Sequence, residues 1–347
     1  MTRKNLPEKT TKISLLLCIP AFFCSFFTVH AQDARLIEAA QKEGAVIGYT
    51  SLDNDIAKAQ MDMFTAKYKI KGGFFRGNTN VVTDRALAEF RAGKVTYDVV
   101  YTSNEAMHFI KEQGLFTSYA SPLNKNFDKD VIDPFFGPRY RMVILGILYN
   151  RKLVRPEEAP KSYDDLLDPK WKGKLASPDP SLDATATAWY SSLHFLMGSK
   201  DKAENWIKRF ADQKPSLVNS PRPAMTQIVS GEKPVGITYI HYVATQADTG
   251  APLDYVKGMP AYLGDGHYIG LSSKAPRPNA AKLFIDFFLG QESMDLMAKE
   301  GYFVSQRGVY PPLQGADQVV KGFVQMVSMT ENDYRQKKND FKKIFQK

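Results

Sequence analysis

From Ala45 onward the chain alternates short apolar runs with amphipathic stretches, and this alternation restricts the fold more than any other feature. "AVIGYTS" reads as a buried strand, and "NDIAKAQMDMFTAKY" follows with Ile56, Ala59, Met63 and Phe64 on one helical face. "KGGFFRG" is a second strand, "VVTDRALAEFRAGK" a helix, "YDVVYTS" a strand and "NEAMHFIKEQG" a helix closed by Gly114. Strands and helices joined by short links in this order give a mainly parallel sheet covered on both faces, with right-handed crossovers.

The texture changes between Ser118 and Tyr140, a stretch rich in Pro, Asn, Phe and Gly, and leads into "RMVILGILYN", a strand apolar on both faces. After Lys161 the alternation resumes through "KLASPD", the helices "DATATAWYSSLHFLMG" and "KAENWIKRFADQ", the strand "SLVNS", the helix "PAMTQIVSGE" and the strand opening "VGITYIHYVATQ". "GHYIGLSS" is a further strand, and "PNAAKLFIDFFLGQESMDLMAKEG" is expected as one long helix with Pro278 in its first turn. The chain thus builds one α/β unit, crosses, and builds another. In "RQKKNDFKKIFQK" and just before it, Tyr334, Phe341, Ile344 and Phe345 recur at helical spacing, so the lysines are the solvated face of a docked helix. No aromatic-basic groove accompanies that charge, which excludes nucleic acid as a partner class.

Arg3, Lys4, Lys9 and Lys12 precede the apolar run "ISLLLCIPAFFCSFFTV", and "VHA" ends at Ala31. A basic region, an apolar region and small residues at the cleavage positions describe a secretory signal peptide over residues 1–31. The run is short and broken by Pro20, which favours export over anchoring. Cleavage after Ala31 removes four basic residues and Glu8, lowering the formal charge from +9 to +6, and removes both cysteines, Cys18 and Cys24. Leu17 and Phe23 precede them, so neither has the small neighbour that lipid attachment needs. A mature chain without cysteine in an oxidising compartment is stabilised by its core, not by disulfides.

Four stretches in this order carry a resemblance: "VIGYTSLDNDIAKAQMDMF", "DDLLDPKWKGKLASPDP", "IVSGEKPVGI", and "GAPLDYV" with "SSKAPRPNAAKLFIDFFLGQE". Together they resemble the periplasmic solute-binding proteins of ABC importers, in the extracellular family 1 group that contains the ferric-iron-binding proteins. The resemblance implies an α/β fold of two lobes (type II), mainly parallel sheets joined by crossing strands, with a ligand clamped between. It also implies a monomer in the periplasm that delivers its ligand to a membrane permease and ATPase. On this reading lobe 1 comprises residues 32–141 and 262–310, and lobe 2 residues 142–261 and 311–347.

In open α/β sheets, ligands sit outside the carboxyl ends of the strands. Both "YTS" triplets end strands there, so Thr50, Ser51, Thr102 and Ser103 are candidate contacts, although Thr102 with Glu105 also forms a capping box. Tyr239, His241 and Tyr242 cluster at the end of another strand; strict alternation separates them, while a strand stopping near Ile240 lets all three face one cleft. In the iron binders a tyrosine pair supplies phenolate oxygens, and here that pair falls on His241 and Tyr242. These two are metal ligands only if iron is the solute, and Fe(III) is the only metal the resemblance brings in, as cargo and not as a cofactor. A neutral imidazole suits this hard ion less well than phenolate. His108 and His194 read as helix-packing residues, while His267 lies near a crossing strand.

Arginines point to an anion. Arg76 ends a strand, Arg141 opens the crossing strand, and Arg222 begins a helix. A guanidinium beside helix N-terminal amides is suited to carboxylate or phosphate. Asp183 is expected as an N-cap and Thr185 as a donor at the start of "DATATAWY". The competing class is an exported enzyme acting on a small anionic substrate, but there is no G-x-S-x-G, H-E-x-x-H or phosphate loop.

Overall fold

A computed structural model describes residues 26–345. The leader through Ser25 lies outside the described residues, and helix α1 (Phe26–Glu43) runs through the expected cleavage point after Ala31. Among the described residues no helix is long and apolar enough to cross a membrane.

The first unit forms as its alternation predicts: β1 (Ala45–Thr50), α2 (Asn54–Tyr68), β2 (Lys71–Arg76), α3 (Thr79–Arg91), β3 (Val99–Ser103) and α4 (Asn104–Glu112). β1 pairs in parallel with β2 and β3. The irregular stretch holds only the short strands β4 (Phe116–Thr117), β5 (Ile132–Asp133) and β6 (Gly137–Pro138). β7 (Arg141–Asn150) then crosses to the second unit, made of β8 (Leu175–Pro178), α5 (Ala184–Ser192), α6 (His194–Met197), α7 (Lys200–Asp212), β9 (Ser216–Val218), α8 (Pro221–Ser230) and β10 (Val235–Tyr239). After α9 (Tyr242–Thr245) and β11 (Leu253–Tyr255), β12 (Tyr262–Ser272) crosses back. It is followed by α10 (Pro278–Phe288), α11 (Gln291–Lys299), β13 (Phe303–Val304), α12 (Ala316–Lys321), β14 (Phe323–Gln325) and α13 (Glu331–Phe345).

The main strand order is β2-β1-β3-β12-β7-β10-β8-β9. Parallel strands lie at each end, and β7 and β12 meet antiparallel in the middle, from Gly264 opposite Ile144 to His267 opposite Arg141. This arrangement makes the fold two-lobed, with the crossing strands as the floor between the lobes. One core gathers Phe64, Tyr101, Phe284, Phe287 and Phe288 beneath α2 and α10. The other gathers Tyr163, Trp189, Tyr190, Trp206 and Phe210, where Trp206 and Phe210 stack at 4.9 Å.

α13 docks as its spacing predicts, with Phe341 buried 5.8 Å from the Tyr190 ring. The expected single helix after Pro278 is instead two. Gly290 is the N-cap of α11, and a Cβ there would lie 3.0 Å from the Phe287 carbonyl, so the chain turns where only glycine fits without displacing backbone. "DATATAWYSSLHFLMG" likewise divides at Leu193 into α5 and α6.

Candidate ligand-binding cleft

Strand ends from both lobes converge above the crossing strands. β10 stops at Tyr239, Ile240 turns into the core, and His241 caps the short α9, so the alternation lapses. The rings of Tyr239, His241 and Tyr242 therefore face one space, with His241 5.2 Å from Tyr239 and 4.6 Å from Tyr242. Tyr302, just before β13, stacks on His241 at 5.4 Å and 21°. The Tyr302 hydroxyl donates to the Asp53 carboxylate, and Arg141 lies 5.2 Å from the centre of the Tyr302 ring.

Arg141 is the electrostatic centre. It is 5% exposed, and its Nε has no hydrogen-bond acceptor, although Nη2 reaches His267 Nδ1 at 3.5 Å. Burial works against its charge, but Tyr140, Tyr302 and Asp53 outweigh that and keep it protonated. Arg76 contributes from the end of β2, donating through Nε to the Leu52 carbonyl at 3.3 Å with Nη2 3.8 Å from Asp53. Arg222, in the first turn of α8, lies beside Tyr242 and favours its ionised form.

Burial first, and these cations second, set the protonation of the neighbouring groups. Burial, reinforced by Arg141 and Arg222, lowers the His241 imidazole to about 4, so it is neutral at pH 7. Burial and Arg141 lower His267 in the same way. Burial pushes the Tyr242 phenol up to about 12 against the pull of Arg222, and also raises Tyr239 and Tyr302. Desolvation works to raise Asp53, yet the Tyr302 hydroxyl and the charges of Arg141 and Arg76 hold it below the ordinary carboxylate value. On β12, burial raises Asp265 to about 7, where its carboxyl accepts from Gln325 Nε2 at 2.8 Å.

Three of the four hydroxyls expected at the strand ends, those of Thr50, Ser51 and Thr102, are bonded within the protein. Thr50 is fully buried and its Oγ1 accepts from Leu52 N at 2.9 Å, closing the turn after β1 instead of reaching the cleft. The capping box does not form either. Ser103 is the N-cap of α4 and its side chain caps nothing, while Thr102 is still in β3, 2.7 Å from Ser51 Oγ and donating to Thr79 Oγ1 at 3.2 Å. Asp183 caps α5 through Ala186 N at 2.7 Å, as its position predicts, and Thr185 Oγ1 lies 3.4 Å from the Tyr239 hydroxyl. His108 packs against Phe136 and Tyr268, and His194 turns back to the Ser191 carbonyl.

Asp53 and Tyr302 are cleft residues that local sequence patterns do not mark. Asp53 stands where an N-cap is expected, but its side chain makes no capping bond to α2. Tyr302 is 249 positions away from it. Among the described residues no group of three or more His, Cys, Asp or Glu is arranged for a metal ion. Three guanidiniums, two carboxylates and neutral rings make a cleft suited to a small anion.

Residues 94–319 match the family described as bacterial extracellular solute-binding protein. The chain is 26% identical over 270 residues to a putative 2-aminoethylphosphonate-binding periplasmic protein of Salmonella typhimurium, covering 75% of this chain and 77% of that protein. It is 23% identical over 303 residues to iron uptake protein A1 of Synechocystis sp., covering 82% and 80% of the two chains. Among solved structures, the periplasmic binding protein AfuA of Actinobacillus pleuropneumoniae, with fructose-6-phosphate bound, superposes with a TM-score of 0.66 at 23% identity. That likeness covers 87% of this chain and 97% of AfuA, and it is one of fold.

Proposed function

The chain belongs to the bacterial extracellular solute-binding proteins, and from that premise we propose that it captures an organic anion bearing phosphate, phosphonate or carboxylate between its lobes. It acts in the periplasm as a monomer after loss of residues 1–31, and hands the solute unchanged to an ABC permease and its ATPase. It is a binder and not an enzyme. Lobe 1 comprises residues 32–141 and 262–310, and lobe 2 residues 142–261 and 311–347.

One observation carries the choice of ligand class: Arg141 is buried on the cleft floor with a free Nε, flanked by Arg76 from one lobe and Arg222 from the other. A buried guanidinium with an unpaired donor is costly unless an acceptor arrives, and the planar fork matches oxyanions. Ser51 and Ser103 border the floor on one side, and Thr185, Tyr239, His241 and Tyr242 on the other. The phosphonate in the name of the Salmonella relative supports the same class. Titration calorimetry with a panel of phosphonates, phosphates and carboxylates tests the reading. Saturable binding of at least one of them, weakened in Arg222→Ala, is expected; heat from none of them contradicts it.

A second reading, ferric iron with a companion anion, is favoured by the Tyr242 phenol beside His241 and by the iron uptake relative. Iron would then be cargo. A visible tyrosinate-to-iron band that disappears in Tyr242→Phe would establish it.

A further inference from the structure

We propose that the solute is a zwitterion, with a primary ammonium a few bonds from its anionic head, and that Asp53 selects it by accepting from that ammonium. The inference rests on the anionic-solute reading above and narrows it.

Asp53 directly precedes α2, in the position where an aspartate ordinarily bonds a backbone amide of the first turn. Its φ and ψ of −62° and 144° suit a cap, yet its side chain makes no capping bond. The carboxylate turns instead into the cleft, where it accepts from the Tyr302 hydroxyl and forms a long, half-exposed ion pair with Arg76 Nη2 at 3.8 Å. The side chain is 59% exposed, so it is open to a solute. The other acidic residues around the cleft are committed: Asp183 to the N-terminus of α5, and Asp265 to Gln325 within the floor. Asp53 keeps acceptor capacity beyond the Tyr302 hydroxyl and lies beside Arg141 and His241.

An ionised carboxylate beside an anion site is unfavourable for a simple anion, because the like charges repel across a few ångström. The same carboxylate favours a ligand whose ammonium lies between it and the oxyanion. Specificity of this kind is set as much by repelling the wrong solute as by attracting the right one. A hydroxyl in place of the ammonium would donate to Asp53 but would not neutralise it. A free metal ion would satisfy Asp53 but not the unpaired Nε of Arg141.

Titration calorimetry on wild type and Asp53→Asn tests this with 2-aminoethylphosphonate, 2-hydroxyethylphosphonate and ethylphosphonate, and with the carboxylate pair 3-aminopropanoate and propanoate. The carboxylate pair separates the two oxyanion heads. In wild type the amine-bearing member of at least one set should bind ten times tighter or more than its amine-free partners. Asp53→Asn should close that gap, weakening the amine probe while leaving the others unchanged or tighter. It should lower the melting temperature by no more than about 4 °C, because Asn keeps an acceptor for the Tyr302 hydroxyl and only the long, half-exposed Arg76 pair is lost. Equal binding of the amine and amine-free probes, or a gap that survives Asp53→Asn, overturns the inference and leaves the anion reading standing. Binding of none of the five overturns the inference, and the wider panel with phosphates then decides the anion reading.

Discussion

The imidazole of His241 lies 5.4 Å from the ring of Tyr302 at an interplanar angle of 21°, a near-parallel stack that joins the segment after β10 to the segment before β13. Such a pair contributes about 1 kcal/mol beyond its buried area. Tyr302→Ala should therefore move the open-to-closed ratio of the ligand-free protein about fivefold toward open, seen in small-angle scattering as a larger radius of gyration. Tyr302→Phe keeps the ring and should leave the radius unchanged. Ligand should shrink the wild-type particle, since it contacts both lobes only when they are closed.

Arg141→Lys keeps a positive charge on the cleft floor but loses the forked donors. Losing a charge-assisted hydrogen bond costs about 1.5–3 kcal/mol, so the tightest-binding anion of the panel should weaken roughly 10- to 150-fold in calorimetry. An unchanged Kd would remove Arg141 from the site.

Asp265 makes stability depend on pH in an unusual direction. Its folded-state value, raised by burial to about 7, lies above the unfolded value of 3.8, so the fold retains a proton that the unfolded chain releases. That contribution is fully present below about pH 4 and is lost as pH rises through about 7. Asp265→Asn imitates the protonated form, so it should match wild type near pH 4. At pH 8 it should be more stable by up to about 4 kcal/mol, measured by denaturant titration at both pH values. His241 acts in the opposite direction. Held at about 4 against an ordinary 6.5, it withdraws stability as pH falls between those values, and His241→Asn should flatten that part of the profile.

Helix α13 is held by aromatic contacts, with Phe341 against Tyr190 and Phe345 5.5 Å from the same ring. Phe341→Ala should destabilise lobe 2 by about 3–5 kcal/mol in denaturant titration, the usual penalty for an emptied aromatic site. Lys337→Glu, on the solvated face, should change stability by no more than about 0.5 kcal/mol.

Periodicity made the α/β alternation and the crossing strand at Arg141 legible, because buried strands and amphipathic helices are written in local spacing. The same reasoning anticipated that Tyr239, His241 and Tyr242 converge if the strand ends early, since one irregular residue at Ile240 is enough to break alternation. The partners of those residues were not legible. Tyr302 and Asp53 meet only because the chain crosses twice, and a side chain that declines to cap its helix leaves no mark in the sequence. The Thr102–Glu105 pattern misled for a related reason. A capping box is a local rule, while Thr102 is occupied by Ser51 and Thr79 of neighbouring segments. Gly290 was visible as a residue, but whether it bends a helix or starts a new one depends on its crowding against the Phe287 carbonyl.

The most direct test of the account is native mass spectrometry of the protein taken from its own periplasm, before and after denaturation. The account predicts a cysteine-free chain of residues 32–347 carrying one small organic molecule, released intact on unfolding and detected as a phosphate, phosphonate or carboxylate, with Arg141→Lys recovered largely empty. A chain carrying ferric iron without any organic anion, or carrying a solute bearing no anionic group, would contradict it.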